Sequence, residues 1–494
     1  MPLIKSISGI RGTIGNKPGE DLTPIDVVKF TSAFATLIAE KKKNTSHLSP
    51  LNSHPPPVTC HLSLVIGRDA RISGAFLNQI VCATLQNMGV DVIDVGLSTT
   101  PTVEMAVVKH GADGGIILTA SHNPMEWNAL KLLNEKGEFI SATEGQRLLK
   151  IVEKGDFTNI SVNSLGRYTQ YEHAIEDHIN EILKLDLVDV NAIRAAGFSV
   201  IFDAVNSAGG IAIPLLLQKL GVRKQKALFG EPTGIFPHNP EPLPENLHEI
   251  SAAMKGEPSD VSCQISNKNK SKIPNLKSNI YDVGFVVDPD VDRLAIVMEN
   301  GEMFSEEYTL VAIADYVLQH KKGDTVSNLS STRALRDVSE KHGVTYYAAA
   351  VGEVNVVEKM KETNAIIGGE GNGGVILPEL HYGRDALVGI ALFLSFMAKS
   401  KLKCSEIKAL YPNYVISKNK IELTKEMNIQ EILQKVAQQF ATLNPNTIDG
   451  VKIDFERGWV HLRPSNTEPV IRIYAEARNE AEAERLVSEV REAL

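Results

Sequence analysis

Ser121 ends an apolar run, GGIILTA, and is followed by His122, Asn123 and Pro124, which break any strand. A hydroxyl at the carboxyl end of a buried strand sits where open α/β folds bind ligands. The segment lacks the GxSxG pattern of a hydrolase elbow. His122 is not expected to act as the base for Ser121, because adjacent side chains in an extended segment point to opposite faces. A loop serine that only caps a turn fits the same residues.

Asp288, Asp290 and Asp292 alternate in VGFVVDPDVDRLAIVMENGEMF, so a curled loop can turn all three carboxylates toward one point. Carboxylates so placed repel one another unless a cation compensates them. Glu299 is twelfth from Asp288, as in an EF-hand loop, but the sixth position is Arg293 instead of glycine and both flanks are β-like, so that reading is rejected. Magnesium with oxygen ligands and a phosphate partner fits better; a solvated acidic loop is the plain alternative.

In AIIGGEGNGGVILPELHYGRD, Gly369, Gly371 and Gly374 formally match GxGxxG. A Rossmann phosphate loop opens a helix, whereas VILPEL predicts a strand stopped by Pro378, and Glu370 would repel a pyrophosphate. Either a tight turn or a glycine-supported loop presenting Glu370 and Asn372 to a polyol accounts for the segment. In HLRPSNTEPVIRIYAEA, Arg463, Ser465, Asn466, Thr467 and Arg472 bring two guanidinium groups and several small donors to one strand-to-strand loop. That set can grip a phosphate, with exposed turn polarity as the alternative.

Three stretches supply elements that would position such loops. SLVIGRDARISG leads into AFLNQIVCATLQNMGVDVIDVG, FSVIFDAVNSAGG into IAIPLLLQKLGVRKQKAL, and TVSNLSSTRALRDVSEKHGVTYYAAAVG repeats the order. Each predicts strand, polar loop, amphipathic helix, Gly-Val turn and strand, a βαβ unit suited to a sheet covered on both faces. The chain's 494 residues exceed one hydrophobic core. Three similar α/β domains are therefore expected in tandem, at 1–165, 166–304 and 305–413, followed by a smaller α+β domain at 414–494. Polar stretches at about 40–60 and 256–280 read as surface insertions.

The net charge of −9 argues against nucleic acid. Cys60, Cys82, Cys263 and Cys404 form no CxxC pair, so neither a zinc site nor a disulfide framework is suggested. MPLIKSISGIRG lacks a signal peptide's apolar core, and no apolar run approaches the roughly 20 residues of a membrane span. A cytoplasmic enzyme without a membrane partner is expected.

Taken together and in order, these segments resemble the α-D-phosphohexomutases over essentially the whole chain apart from the two insertions. The phosphoserine loop of that family is matched by TASHNP, its magnesium loop by DPDVDR, its sugar-specificity loop by GGEGNGG, its phosphate loop by RPSNTEP and its opening motif by SGIRG. The resemblance implies three α/β domains with mixed sheets and a smaller C-terminal domain around a central cleft. It implies Ser121 as the phosphoserine, and Asp288, Asp290 and Asp292 as magnesium ligands with Ser121 or its phosphate. Lys131 is implied as general acid/base. Arg11 and Arg293 are implied in the active centre, with His122 beside Ser121 in the matched motif. The implied reaction interconverts a sugar 6-phosphate and 1-phosphate through a bisphosphorylated sugar, and the implied activator is a sugar bisphosphate. Lys131 would need a lowered pKa to act as a base.

The chain departs from familiar members in having Pro289 and Val291 between the aspartates and Ala129 where glycine is common. The Asn-Gly-Gly ending of the third loop resembles the archaeal-type phosphoglucosamine mutase branch, and Thr119 agrees with that. Glu370, with Glu353 from AVGEVN, suits an amino sugar, although carboxylates bind neutral hydroxyls as well. Glucosamine phosphate is the first expectation and glucose or mannose phosphate the second. A metal-dependent sugar phosphatase and an inactive sugar-phosphate-binding relative are the readings from other classes.

Overall fold

The computed structural model describes residues 3–6, 9–17, 19–46, 62–157, 160–257, 281–422, 428–464 and 470–492. Most of both expected insertions, 47–61 and 258–280, lies outside these residues, as do Ser465, Asn466 and Thr467.

The described strands form four sheets. The first contains β1 (Ile4–Ser6), β2 (Gly9–Thr13), β3 (Leu62–Arg68), β4 (Val90–Leu97), β5 (Gly114–Leu118), β6 (Trp127–Leu133) and β7 (Tyr168–Gln170). It is covered by α1 (Pro24–Ser46), α2 (Gly74–Asn87), α3 (Thr100–His110) and α4 (Ala142–Lys154). Its order is β1-β2-β6-β5-β3-β4-β7, so β7 carries this sheet a few residues past position 165.

The second sheet has β8 (Ser199–Asp203), β9 (Lys224–Leu228), β10 (Val283–Val287) and β11 (Leu294–Met298), with α5 (Ala174–Ile182), α6 (Val190–Ala196), α7 (Gly209–Lys219) and α8 (His248–Lys255). The third has β12 (Thr325–Asn328), β13 (Tyr346–Ala349), β14 (Ile367–Glu370) and β15 (Gly374–Ile376). Its helices are α9 (Glu306–His320), α10 (Ala334–His342), α11 (Glu353–Thr363), α12 (Ala386–Ser400) and α13 (Cys404–Lys408). The fourth sheet is antiparallel, β16 (Val415–Glu422), β19 (Val470–Ala477), β18 (Gly458–Pro464) and β17 (Val451–Phe455), with α14 (Ile429–Gln439) and α15 (Glu480–Arg491).

The three predicted βαβ units are present as β3-α2-β4, β8-α7-β9 and β12-α10-β13, each with parallel strands. In each mixed sheet a further strand joins in parallel and then turns back antiparallel: β5-β6, β10-β11 and β14-β15. The three strand-to-strand loops therefore occupy one topological position, at the carboxyl end of a parallel strand, where ligands collect in α/β sheets. Every residue of β5, β6, β10 and β11 is buried, as continuous apolar strands covered on both faces require.

A single apolar cluster runs through the second and third domains, from Ile175 to Tyr411. At its centre α12 is buried on all sides from Ala386 to Met397, as its ALVGIALFLSFM sequence dictates. The fourth domain keeps its own interior, around Val436, Ile453, Val460 and Ile473. Hydrogen bonds join it to the third: Lys452 Nζ donates to the Leu329 carbonyl at 2.7 Å and Ser330 Oγ lies 2.9 Å from His461 Nδ1. No described helix is long and apolar enough to cross a membrane.

Candidate active site

Ser121 lies in the β5-β6 loop with a left-handed backbone, φ 48°. Its N–H donates to Thr119 Oγ1 at 3.0 Å, and Thr119 donates to Asp69 Oδ2 at 2.6 Å. Arg71, fully buried, holds the rest of the loop. It donates to the carbonyls of Ser121 (2.6 Å), Asn123 (2.6 Å), Pro124 (2.5 Å) and Trp127 (3.0 Å), and its Nε meets Asp69 Oδ2 at 3.0 Å. The left-handed turn corrects the extended geometry expected here: His122 Nδ1 comes within 3.4 Å of Ser121 Oγ. Burial, then the charge of Arg293, places the His122 pKa well below the usual imidazole range. Ser121 Oγ itself donates to Asp288 Oδ2 at 2.8 Å.

The β10-β11 loop turns its three carboxylates inward, with one oxygen from each of Asp288, Asp290 and Asp292 within 4.8 Å of the others. All three residues are buried. Val291 between them is also left-handed, φ 62°, a position that costs a β-branched residue about 1–3 kcal/mol and persists only where its surroundings impose it. Those surroundings come from two other domains. Thr100, at the start of α3, donates N–H to the Asp290 carbonyl at 2.8 Å and Oγ1 to Asp290 Oδ2 at 2.6 Å. Leu294 N–H donates to the Gly373 carbonyl at 3.0 Å, and Ala386 N–H to the Val291 carbonyl at 3.2 Å. At Gly373, φ is 86° and an added Cβ would lie 2.4 Å from the Leu294 carbonyl oxygen, so this approach requires glycine.

The triad fits a hard divalent cation. Asp290 Oδ1 and Asp292 Oδ1 are buried without a hydrogen-bond partner. Burial, followed by the charges of Asp292 and Asp290, raises the Asp288 pKa well above the carboxylate range. Such a site is incomplete without compensating charge, and its donors are all oxygen. Lys131 on β6 supplies part of that charge, with Nζ 2.7 Å from Asp290 Oδ2 and 3.5 Å from Asp292 Oδ2. Burial alone would depress its pKa, but the two carboxylates outweigh burial and raise it. This direction is opposite to the lowered pKa that a base at Lys131 would need.

Arg384, which sequence reasoning did not single out, joins the second and third loops. Its Nη2 donates to Asp292 Oδ2 at 2.6 Å, its Nη1 to Glu370 Oε2 at 2.7 Å, and its Nε lies 3.1 Å from Glu353 Oε2. Glu370 also accepts from Asn328 Nδ2 at 2.9 Å and Gly352 N–H at 3.1 Å. Arg11 from β2 and Arg293, the residue just before β11, complete the cationic side. Arg11 reaches Asn123 Oδ1 at 3.4 Å, and Arg293 Nη1 lies 3.5 Å from Glu241 Oε1.

One cleft of about 360 Å³ is lined by Arg11, Ser121, His122, Lys131, Arg293, Glu353, Glu370, Asn372 and Arg384. The aspartate triad lies beneath its floor, bonded to Ser121 and Lys131, whereas Arg463 and Arg472 stand apart from it. Arg463 and Arg472 face each other across β18 and β19, and Lys420 on β16 is the next cross-strand neighbour of Arg472. Like charges paired directly across a sheet are destabilising by themselves. Arg463 Nε lies 3.6 Å from Asp449 Oδ2, and the other contact of that oxygen is the N–H of Val351, at 3.0 Å, on the cleft wall.

Family models for phosphoglucomutase/phosphomannomutase match four successive regions. Alpha/beta/alpha domain I matches at 58–159, domain II at 176–301, domain III at 305–414 and the C-terminal domain at 420–493. A phosphoglucomutase/phosphomannomutase of Thermococcus kodakarensis is 34% identical over 96% of this chain and 94% of its own. A phosphoglucosamine/phosphogalactosamine mutase of Sulfurisphaera tokodaii is 29% identical over 98% of this chain and 97% of its own. The crystal structure of a phosphoglucomutase/phosphomannomutase family protein from Burkholderia thailandensis superposes with a TM-score of 0.79 at 25% identity, covering 99% of this chain and 98% of that one. With all four regions matched in order and the relatives aligned along nearly their whole length, the chain belongs to the phosphoglucomutase/phosphomannomutase family and is a phosphohexomutase.

Proposed function

We propose that this chain is a cytoplasmic phosphoglucosamine mutase, interconverting glucosamine 6-phosphate and glucosamine 1-phosphate through a phosphorylated Ser121. The observation that carries the reading is the convergence of three equivalent loops, bearing Ser121, the aspartate triad and Glu370 with Asn372, on one cleft. Phosphorylated Ser121 gives its phosphoryl group to the free hydroxyl of a bound sugar phosphate. The Oγ–P bond breaks, a sugar O–P bond forms, and the resulting bisphosphate turns around to return its other phosphoryl group to Ser121. A sugar bisphosphate would charge the serine initially.

Asp288, Asp290 and Asp292, with Ser121 or its phosphate, would hold magnesium. Bound there, magnesium would supply positive charge against the passing phosphoryl group and would offset the carboxylate charge that raises the Lys131 pKa. Lys131 would hold or deliver the proton exchanged at the reacting oxygens, while Arg11 and Arg293, which line the same cleft, would offer positive charge to the phosphoryl group. Neutral His122 would orient Ser121 by a hydrogen bond. Arg384 would hold Glu370 and Glu353 in place to receive sugar hydroxyls or the ammonium group. Arg463 and Arg472, with Ser465, Asn466 and Thr467, would grip the phosphate that is not reacting. Arg463→Ala is expected to raise KM by about 10–100-fold, since hydrogen bonds between charged groups are worth about 1.5–3 kcal/mol. Steady-state kinetics with an unchanged KM would remove Arg463 from the grip.

Glu370 and Glu353 at the cleft, the Asn-Gly-Gly loop and the name of the Sulfurisphaera relative favour an amino sugar. The Thermococcus relative's name keeps glucose and mannose phosphates as the second reading. Phosphorus NMR of the 1-phosphate to 6-phosphate exchange, with all three sugars in parallel, magnesium and a bisphosphate primer, tests this. Comparable or better kcat/KM for glucosamine phosphate supports the proposal, and a clear preference for glucose or mannose phosphate overturns it. Stoichiometric release of inorganic phosphate instead would identify a phosphatase.

A further inference from the structure

Behind Arg384, outside the catalytic cleft, two imidazoles from different domains converge on one carboxylate oxygen. Asp385 Oδ2 lies 2.9 Å from His178 Nε2 and 3.4 Å from His381 Nε2. The three atoms lie within 4.8 Å of one another. Four-coordinate zinc with bonds of about 2.0–2.1 Å places its ligand atoms about 3.3 Å apart, so only small adjustments separate this cluster from a coordination shell.

The remaining nitrogen of His178 and the remaining oxygen of Asp385 are hydrogen-bonded, and the remaining nitrogen of His381 faces a carboxylate. His178 Nδ1 lies 2.9 Å from Thr102 Oγ1, which in turn is 2.7 Å from Thr99 Oγ1. His381 Nδ1 is 3.3 Å from Glu104 Oε2, a carboxylate that is almost wholly buried and has no aligned hydrogen-bond donor. Asp385 Oδ1 accepts the N–H groups of Leu387 and Val388 at the start of α12. Fixing the second nitrogen of each ring, on a hydroxyl and on a carboxylate, is how proteins set the tautomer and direction of metal-binding histidines. A cavity of about 310 Å³, lined by both histidines with Met105, Val108 and Leu380, opens onto the rings and leaves room for entry and a fourth ligand.

We propose that His178, His381 and Asp385 form a second cation site, separate from the aspartate triad, that takes a transition-metal dication of the zinc class. Two imidazole nitrogens select such an ion over magnesium, which the all-oxygen triad suits. The ion joins α5 of the second domain to the loop and helix of the third, with α3 of the first behind it. Because Asp385 follows Arg384, the ion also fixes the backbone beside the arginine that spans Asp292, Glu353 and Glu370.

The full chain, stripped with a chelator and then given millimolar magnesium to fill the triad, is titrated with cobalt(II). The expected result is one equivalent showing the visible absorption of four-coordinate, nitrogen-ligated cobalt. That signal disappears in His178→Gln and in His381→Gln, and Glu104→Gln weakens binding about 10–100-fold. Zinc then raises the unfolding temperature of the wild type but not of either histidine variant. Wild-type protein that shows no such absorption overturns the proposal whatever the variants do. So does a signal that survives, at unchanged affinity, the loss of each histidine.

Discussion

Ser121→Ala is expected to lower mutase turnover by at least about 10⁴-fold, because removing a covalent nucleophile removes the path and leaves only binding. The variant should also fail to gain the mass of a phosphoryl group when incubated with a sugar bisphosphate. Its structural cost is modest. The lost hydroxyl leaves Asp288 Oδ2 without the donor now at 2.8 Å, worth about 1–3 kcal/mol for a buried acceptor. Ser121→Gly serves as the folding control, since glycine accepts the φ of 48° found there without strain. Intact-mass measurement of all three proteins, beside the phosphorus NMR exchange, decides the matter. Undiminished exchange in both variants would end the phosphoserine proposal.

Arg71→Met is expected to destabilise the protein by about 3–5 kcal/mol and to cripple turnover with it. One buried guanidinium serves four carbonyls of the serine loop and neutralises Asp69, and breaking a buried pair on one side strands the other charge. Methionine fills the volume but donates nothing. Arg71→Lys keeps the charge on a single nitrogen with three donors, which cannot reach the same spread of acceptors, so it should fall between the two. Urea melts compare the three proteins. A wild-type midpoint together with wild-type kcat in Arg71→Met would show that the serine loop keeps its shape without this residue.

What was legible in the sequence was local. The βαβ order, the polar loops between apolar strands and the triad all appear within windows of a few residues, where periodicity and turn chemistry act. The residues that sequence reasoning missed act at long range. Arg384 meets a carboxylate 92 positions away, and Thr100 one 190 positions away. Nothing in the patterning around either residue announces its partner, although Arg384 stands in the HYGRD segment just behind the glycine loop. The error over His122 had a different cause. An apolar run ending in a serine was taken to continue extended, while Thr119, Asp69 and Arg71 bend it into a left-handed turn. Lys420 was missed because it alternates with polar neighbours on an exposed strand, and only the register reveals it as the third cation in the row.

Helix α12 makes the second and third domains one mechanical part. Its buried surface belongs to both, so pulling them apart would expose apolar area that no substrate contact could replace. The fourth domain, which keeps its own apolar interior, is expected to move more readily than the middle two. Native-state amide exchange should therefore divide the molecule unequally. Strands β8, β10, β12 and β14 with α9 and α12 should exchange together through rare, cooperative opening, while amides where the fourth domain meets the third are released earlier. In such a molecule the segment from Tyr411 to Tyr414, anchored to the third domain through Tyr308, Asp315 and Asp337, sets where the fourth domain begins to move.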